Sequence, residues 1–144
     1  MSETIVLPGI GGSGERHWQT LWEAEEPSFR RFAPADWDHP DLADWQAALE
    51  ASLALAERPA VLVAHSLACL LVAHAADHVA GRVLGAFLVA VPDPDGALFP
   101  AEAASFRDVP SRPLPFPTFV VASADDPYGS AEHAKRRAGA MAAE

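Results

Sequence analysis

The run Val61-Leu62-Val63-Ala64-His65-Ser66-Leu67-Ala68-Cys69-Leu70 is an apolar strand that turns into an apolar helix, with one serine at the corner. A sharp strand-to-helix turn at the C-terminal edge of a sheet lifts a serine hydroxyl clear of the backbone. It needs small residues on either side of the serine so that strand and helix can pass close together. Ala64 and Ala68 supply them. Glycine is the usual residue at both places; alanine keeps the close approach and gives up free access to positive φ. Two readings follow: a nucleophile elbow that presents Ser66 for covalent chemistry, or an ordinary turn in which Ser66 caps the helix.

Outward from this corner, apolar runs of strand length alternate with stretches of helical period, the pattern of an α/β protein. The expected fold is a three-layer α/β/α sandwich around a mostly parallel sheet, formed by residues 1–144 as one domain. Strands are predicted at about Thr4–Leu7, Phe29–Phe32, Val61–Ala64, Val83–Val91 and Thr118–Ala122. Trp18, Leu21 and Trp22 make an apolar helical face after a glycine-rich loop, and Leu42, Trp45, Leu49, Leu53 and Ala56 make another after the helix entry Asp38-His39-Pro40-Asp41. The helix after Ser66 is apolar nearly all round, so it is expected to be buried, with Gly81 as its C-cap. Val83–Val91 reads as a central strand covered on both faces. Residues 92–117, rich in proline, suit an irregular excursion with a helical turn near Glu102–Phe106. Ser130–Ala143 reads as a last helix.

Composition narrows the function classes. Half of the 144 residues are hydrophobic, enough for one core. The formal charge of -10 argues against a nucleic-acid surface, and the one basic cluster, Lys135-Arg136-Arg137, suits the end of a helix. A single cysteine, Cys69, excludes an internal disulfide and fits a reducing compartment. With no leader pattern and no apolar run of roughly 20 residues, the expectation is a cytoplasmic protein that does not enter a membrane.

Ser66 would need a base to take its proton and a carboxylate to orient that base. In the order serine, acid, histidine, the acid falls in Ser123-Ala124-Asp125-Asp126-Pro127-Tyr128, directly after the fifth strand. Asp126 is preferred because the following proline restricts its backbone, although an Asp-Asp-Pro turn without catalytic role fits the same residues. Acyl transfer also needs backbone N–H donors for the oxyanion. The residue after the serine, Leu67, and a residue of the first loop, Ile10, are the candidates. That loop, Pro8-Gly9-Ile10-Gly11-Gly12-Ser13-Gly14, also reads as G-x-G-x-x-G with Asp36 or Asp38 about 20 residues on, so dinucleotide binding stands as a minor alternative.

Pro8-Gly9 with Gly12-Ser13, the His17-Trp18 pair, the Trp37 and Trp45 region, Val63–Leu67 and Ser123–Tyr128 occur in an order that resembles the small single-domain α/β-hydrolases related to retinoblastoma-binding protein 9 and the bacterial YdeN-like proteins. The resemblance covers essentially the whole chain. It implies a triad of the elbow serine, the aspartate of the Asp-Pro motif and a late histidine, here Ser66 and Asp126, and hydrolysis of small ester, thioester or amide substrates without a cofactor. In the family the histidine follows a further strand, beyond the helix with which this sequence stops. The expected fold is therefore an α/β-hydrolase lacking its last strand and helix, with the base beyond Glu144. A form without that segment is expected to turn over little and to expose a sheet edge that invites a homodimer.

The remaining histidines are weighed singly. His17 is a pocket candidate, either a surrogate base or a hydrogen-bonded structural residue. His65 is expected to support the elbow, while His39 and His133 look like helix-entry and surface residues. His74 and His78 have metal-binding spacing but lack a following glutamate and a third ligand, so no metal is expected. Cys69 reads as a small buried hydrophobe. Trp18, Trp37, Phe99 and Phe106 are candidates for an apolar acyl pocket, with core packing as the alternative. Two function classes compete: a serine hydrolase acting on a small molecule, and a catalytically inactive binding protein on the same scaffold.

Overall fold

The computed structural model describes residues 2–144. Five strands, β1 (Glu3–Leu7), β2 (Phe29–Arg31), β3 (Ala60–His65), β4 (Val83–Val89) and β5 (Thr118–Val121), alternate with helices α1 (Trp18–Glu25), α2 (Leu42–Leu55), α3 (Leu67–Val79) and α4 (Ala131–Ala140). The strands form one sheet in the order β2-β1-β3-β4-β5, every pair parallel. From β1 the chain goes outward to β2, then returns across β1 to lay down β3. The order reverses there, and the crevice at the carboxyl ends of β1 and β3 is where open parallel sheets bind ligands.

Side-chain alternation sorts the sheet into two unlike faces. Leu62, Ala64, Ala86 and Leu88 point to one face and are buried with α2 and α3. Ten of the thirteen residues of α3 are buried, as its all-round apolar sequence requires. Each fully buried leucine there contributes about 1.5–3 kcal/mol of transfer free energy. On α2, Trp45, Leu49 and Leu53 make the buried stripe, and Asp41 caps the first turn by accepting the Asp44 N–H at 3.1 Å.

The opposite face is only partly covered, by α1. Trp18 and Trp22 meet Phe87 there, with ring centroids 6.5 and 6.2 Å apart. Phe119, in register with Phe87, is 57% exposed. Three sequence expectations are corrected by this arrangement. The buried residue of α1 is Gln19, whereas Leu21 and Trp22 are exposed, because α1 meets the sheet along a strip that the apolar spacing alone does not define. β4 is buried mainly on its α3 side and leaves Leu84 exposed, so it is not covered on both faces. Gly81 lies inside the 3-10 turn Ala80–Arg82, beyond the C-cap of α3 at Ala80.

Residues 92–117 form the irregular excursion expected of them, including a 3-10 segment at Ala101–Phe106 whose Phe106 is fully buried against Trp45. At the end of the chain the Glu144 N–H donates to the Thr118 carbonyl at 3.0 Å, and the Val120 N–H donates to the Glu144 carbonyl at 2.6 Å. These two bonds are those of a parallel strand beside β5.

Candidate active site

Ser66 stands between β3 and α3 with φ 54° and ψ -122°. A non-glycine residue in that region costs about 1–3 kcal/mol and persists only where the surroundings hold it. Here the Ser66 N–H donates to the Val89 carbonyl at 2.9 Å and its carbonyl accepts from the Cys69 N–H at 2.9 Å. The helix-cap reading is not met: Ser66 occupies the cap position, but its hydroxyl makes no capping bond. Neither Ala64 nor Ala68 has positive φ, so replacing glycine there costs no strain. The strain sits on the serine itself, and both alanines are completely buried at the crossing of strand and helix.

The loop after β1 closes over this corner. A Cβ on Gly9 would lie 3.0 Å from the His65 carbonyl oxygen, 3.2 Å from Ser66 Cβ and 3.4 Å from the Leu67 nitrogen. The close approach therefore requires glycine and puts Ile10 beside the start of α3. Gly12 has φ 68° and lies against the Trp37 ring, while the Gly11 N–H donates to the Trp37 carbonyl at 2.9 Å. Arg31 ties the loop to β2 by donating to the Ser13 carbonyl and to Glu23. Gln19 secures it from below. Its Nε2 donates to the carbonyls of Leu7 and Val63, and its Oε1 accepts from Ser13 Oγ at 2.7 Å. Among the described residues, no protein group accepts the N–H of Ile10 or of Leu67.

A cleft of about 390 Å³ opens over the corner. Ile10, His17, His65, Ser66 and Leu67 all line it, joined by Phe99, Pro92, Pro100 and Tyr128 from later loops. Trp18, expected in the pocket, does not line it. Its ring packs behind His65 and against Trp22, since one helical step past His17 turns it toward the sheet. Of the other aromatic candidates, Phe99 reaches the cleft, Phe106 is core, and Trp37 packs under the glycine loop.

The two cleft histidines touch edge to face, with centroids 4.5 Å apart. Burial, with a smaller contribution from His17, lowers the His65 imidazole to about 4 against a weak opposing pull from Asp126, so His65 is neutral at pH 7. Burial, then the Arg31 cation, also holds His17 below its ordinary value. Asp126 sits in the loop after β5, half-buried, with its Oδ1 accepting the Tyr128 N–H at 2.9 Å. Its charge is felt at His65, although Asp126 itself does not line the cleft. The neighbouring Asp125 is exposed and bonded to the Ser123 hydroxyl, which holds its carboxyl below the usual carboxylate value.

Elsewhere, His74 bonds the Phe106 carbonyl at 2.9 Å, and His39 is exposed beside Asp36. His133, expected at the surface, is buried and meets the Pro92 carbonyl at 3.2 Å, because α4 packs over the start of the excursion. Burial pushes the Cys69 thiol up, as suits a core residue. The glycine loop does not run straight into a helix: α1 begins at Trp18, four residues past Gly14, with His17 as its cap. A dinucleotide loop would instead offer the helix N-terminus to the pyrophosphate.

A parallel sheet with reversed strand order, helices on both faces and a strained serine at the switch point define an α/β-hydrolase fold. The chain belongs to the serine hydrolase family, whose model matches residues 4–144. It is similar to a YdeN-like hydrolase from Pectobacterium atrosepticum, with 28% identity and a TM-score of 0.89 over 100% of this chain and 75% of that one. The ydeN gene product of Bacillus subtilis is similar at 19% identity and TM-score 0.80, over 99% of this chain and 82% of that one. Mouse alpha/beta hydrolase domain-containing protein 10 gives 18% identity and TM-score 0.74, over 95% and 74%. No curated protein sequence matches the chain significantly. No helix among the described residues is long and apolar enough to cross a membrane.

Proposed function

We propose that the protein hydrolyses small ester, thioester or amide substrates through an acyl-enzyme on Ser66. The observation that carries the reading is the strained, uncapped Ser66 at the floor of a largely apolar cleft. On this reading Ser66 Oγ attacks the scissile carbonyl, and the N–H groups of Ile10 and Leu67 receive the developing oxyanion. Asp126, in the loop after β5, is the acid that orients a histidine base. The depressed titration of His65 and its place at the strand end make it a wall of the cleft rather than the base.

A second reading, a binding protein on the hydrolase scaffold, is favoured by one observation: among the described residues no histidine is hydrogen-bonded to Ser66. A fluorophosphonate probe separates the two. Hydrolysis predicts a single adduct by intact mass that disappears in Ser66→Ala; a binding scaffold predicts no adduct in either protein.

A further inference from the structure

His17 lines the same cleft as Ser66, but its ring is already committed on one side. It is the N-cap of α1, and its Nδ1 accepts the Gln19 N–H at 3.2 Å. An imidazole nitrogen that accepts a hydrogen bond carries no proton, so the neutral ring holds its proton on Nε2. Among the described residues nothing on the protein takes that Nε2–H, and no buried side-chain nitrogen or oxygen is left without a partner. The Nε2–H is therefore an accessible donor whose tautomer is fixed by the helix it caps. This geometry also removes His17 as a surrogate base, since Nε2 has no free lone pair.

The surroundings give that donor a meaning. Ser13 shares the cleft, but its hydroxyl proton is spent on Gln19. Ile10, Phe99, Pro92 and Pro100 offer hydrocarbon. A purely hydrocarbon substrate filling this space would strip water from the Nε2–H and give it nothing in return, whereas an oxygen placed there would pair it. The ring is neutral, so it supplies a hydrogen bond without a charge, and an uncharged oxygen pairs it fully.

Resting on the reading of this cleft as the acyl-binding site, we propose that His17 is a specificity-determining residue. Its Nε2–H binds an uncharged keto, ester or hydroxyl oxygen carried by the substrate in addition to the scissile carbonyl.

The test compares 4-oxopentanamide with pentanamide, amides that differ by one keto oxygen, by chemical-shift titration of the cleft amides, with Ser66→Ala in every sample so that neither amide is turned over. The comparison variant is His17→Asn, because asparagine caps a helix well but is too short to replace the outer ring nitrogen. Protein that retains His17 should bind the keto amide about five- to tenfold more tightly, the worth of one hydrogen bond. His17→Asn should lose that preference, the two amides then binding with a ratio near one, while its spectrum outside the cleft remains that of the folded protein. Equal binding of the two amides, no binding of either, or a preference that survives in His17→Asn would overturn the proposal. So would a long-range proton–nitrogen spectrum that places the His17 proton on Nδ1. Fluorophosphonate treatment of wild-type protein tests the nucleophile separately: no adduct, with the amide preference intact, would remove Ser66 chemistry and leave the role of His17 standing.

Discussion

Gly9 makes no hydrogen bond through a side chain, yet the elbow depends on its having none. A methyl group there meets the His65 carbonyl oxygen at 3.0 Å and Ser66 Cβ at 3.2 Å, and neither can move without disturbing the β3–α3 corner. Gly9→Ala should push the loop away, destabilise the fold by about 1–3 kcal/mol and slow fluorophosphonate labelling of Ser66; urea melts and labelling rates check the two effects together. His65 supplies a second residue-scale prediction. An unfolded imidazole titrates near 6.5 and the folded one at about 4, so between these values the unfolded state binds more protons. Stability should be level above pH 6.5 and fall as pH drops from there toward 4. Melting temperatures between pH 4 and 8 measure this, and His65→Gln should flatten the slope. His17, also lowered, adds to the fall with the same sign.

At the scale of elements, α1 is joined to the sheet by a polar residue. Gln19 is fully buried and spans the carboxyl ends of β1 and β3 through the Leu7 and Val63 carbonyls. Gln19→Leu keeps the apolar volume but leaves two strand-end carbonyls and the Ser13 hydroxyl without their partner. The expected cost is about 3 kcal/mol or more, since each of the three unpaired groups costs about 1–3 kcal/mol. A loss below 0.5 kcal/mol in chemical denaturation, well under ~1 kcal/mol for one bond, would show that water replaces the amide freely. The same element shows where periodicity fails as a guide. Trp18, Leu21 and Trp22 read as a buried stripe, but α1 crosses a sheet face that is incompletely covered, so much of that stripe meets solvent. For α2 and α3 the pattern was legible, because both lie on the fully covered face and their apolar residues have one place to go.

The whole molecule is asymmetric. One face of the sheet is sealed by α2 and α3, while the other shows Phe119 and Val121 beyond the reach of α1. Exposed apolar residues of this size, grouped on one face, favour association. We predict concentration-dependent self-association of the 144-residue chain in sedimentation velocity, reduced by Phe119→Lys; a monomer at all concentrations, with no effect of the substitution, would refute it. The homodimer expected from an exposed sheet edge would arise from this face as much as from the edge, because Glu144 already occupies part of the β5 edge.

The sequence by itself determined the parallel α/β architecture, the corner at Ser66, the buried α3 and the loop in which Asp126 lies. Each is written in local chemistry: runs of strand length, a serine between small residues, an apolar helix, and Asp-Pro after a strand. Tertiary structure decided what depends on contacts between distant segments. It placed the strain on Ser66 rather than on its neighbours, because the Val89 carbonyl holds the Ser66 N–H from the adjoining strand. It turned Trp18 away from the cleft and His17 into it, a choice made by the approach of α1 to β3. It buried His133 against Pro92, and it made Gln19 the anchor beneath the glycine loop, where no pattern of hydrophobicity could announce a polar residue. The physical reason is shared: what each group meets is set by the segments the fold brings to it, and those segments lie twelve or more residues away in the chain.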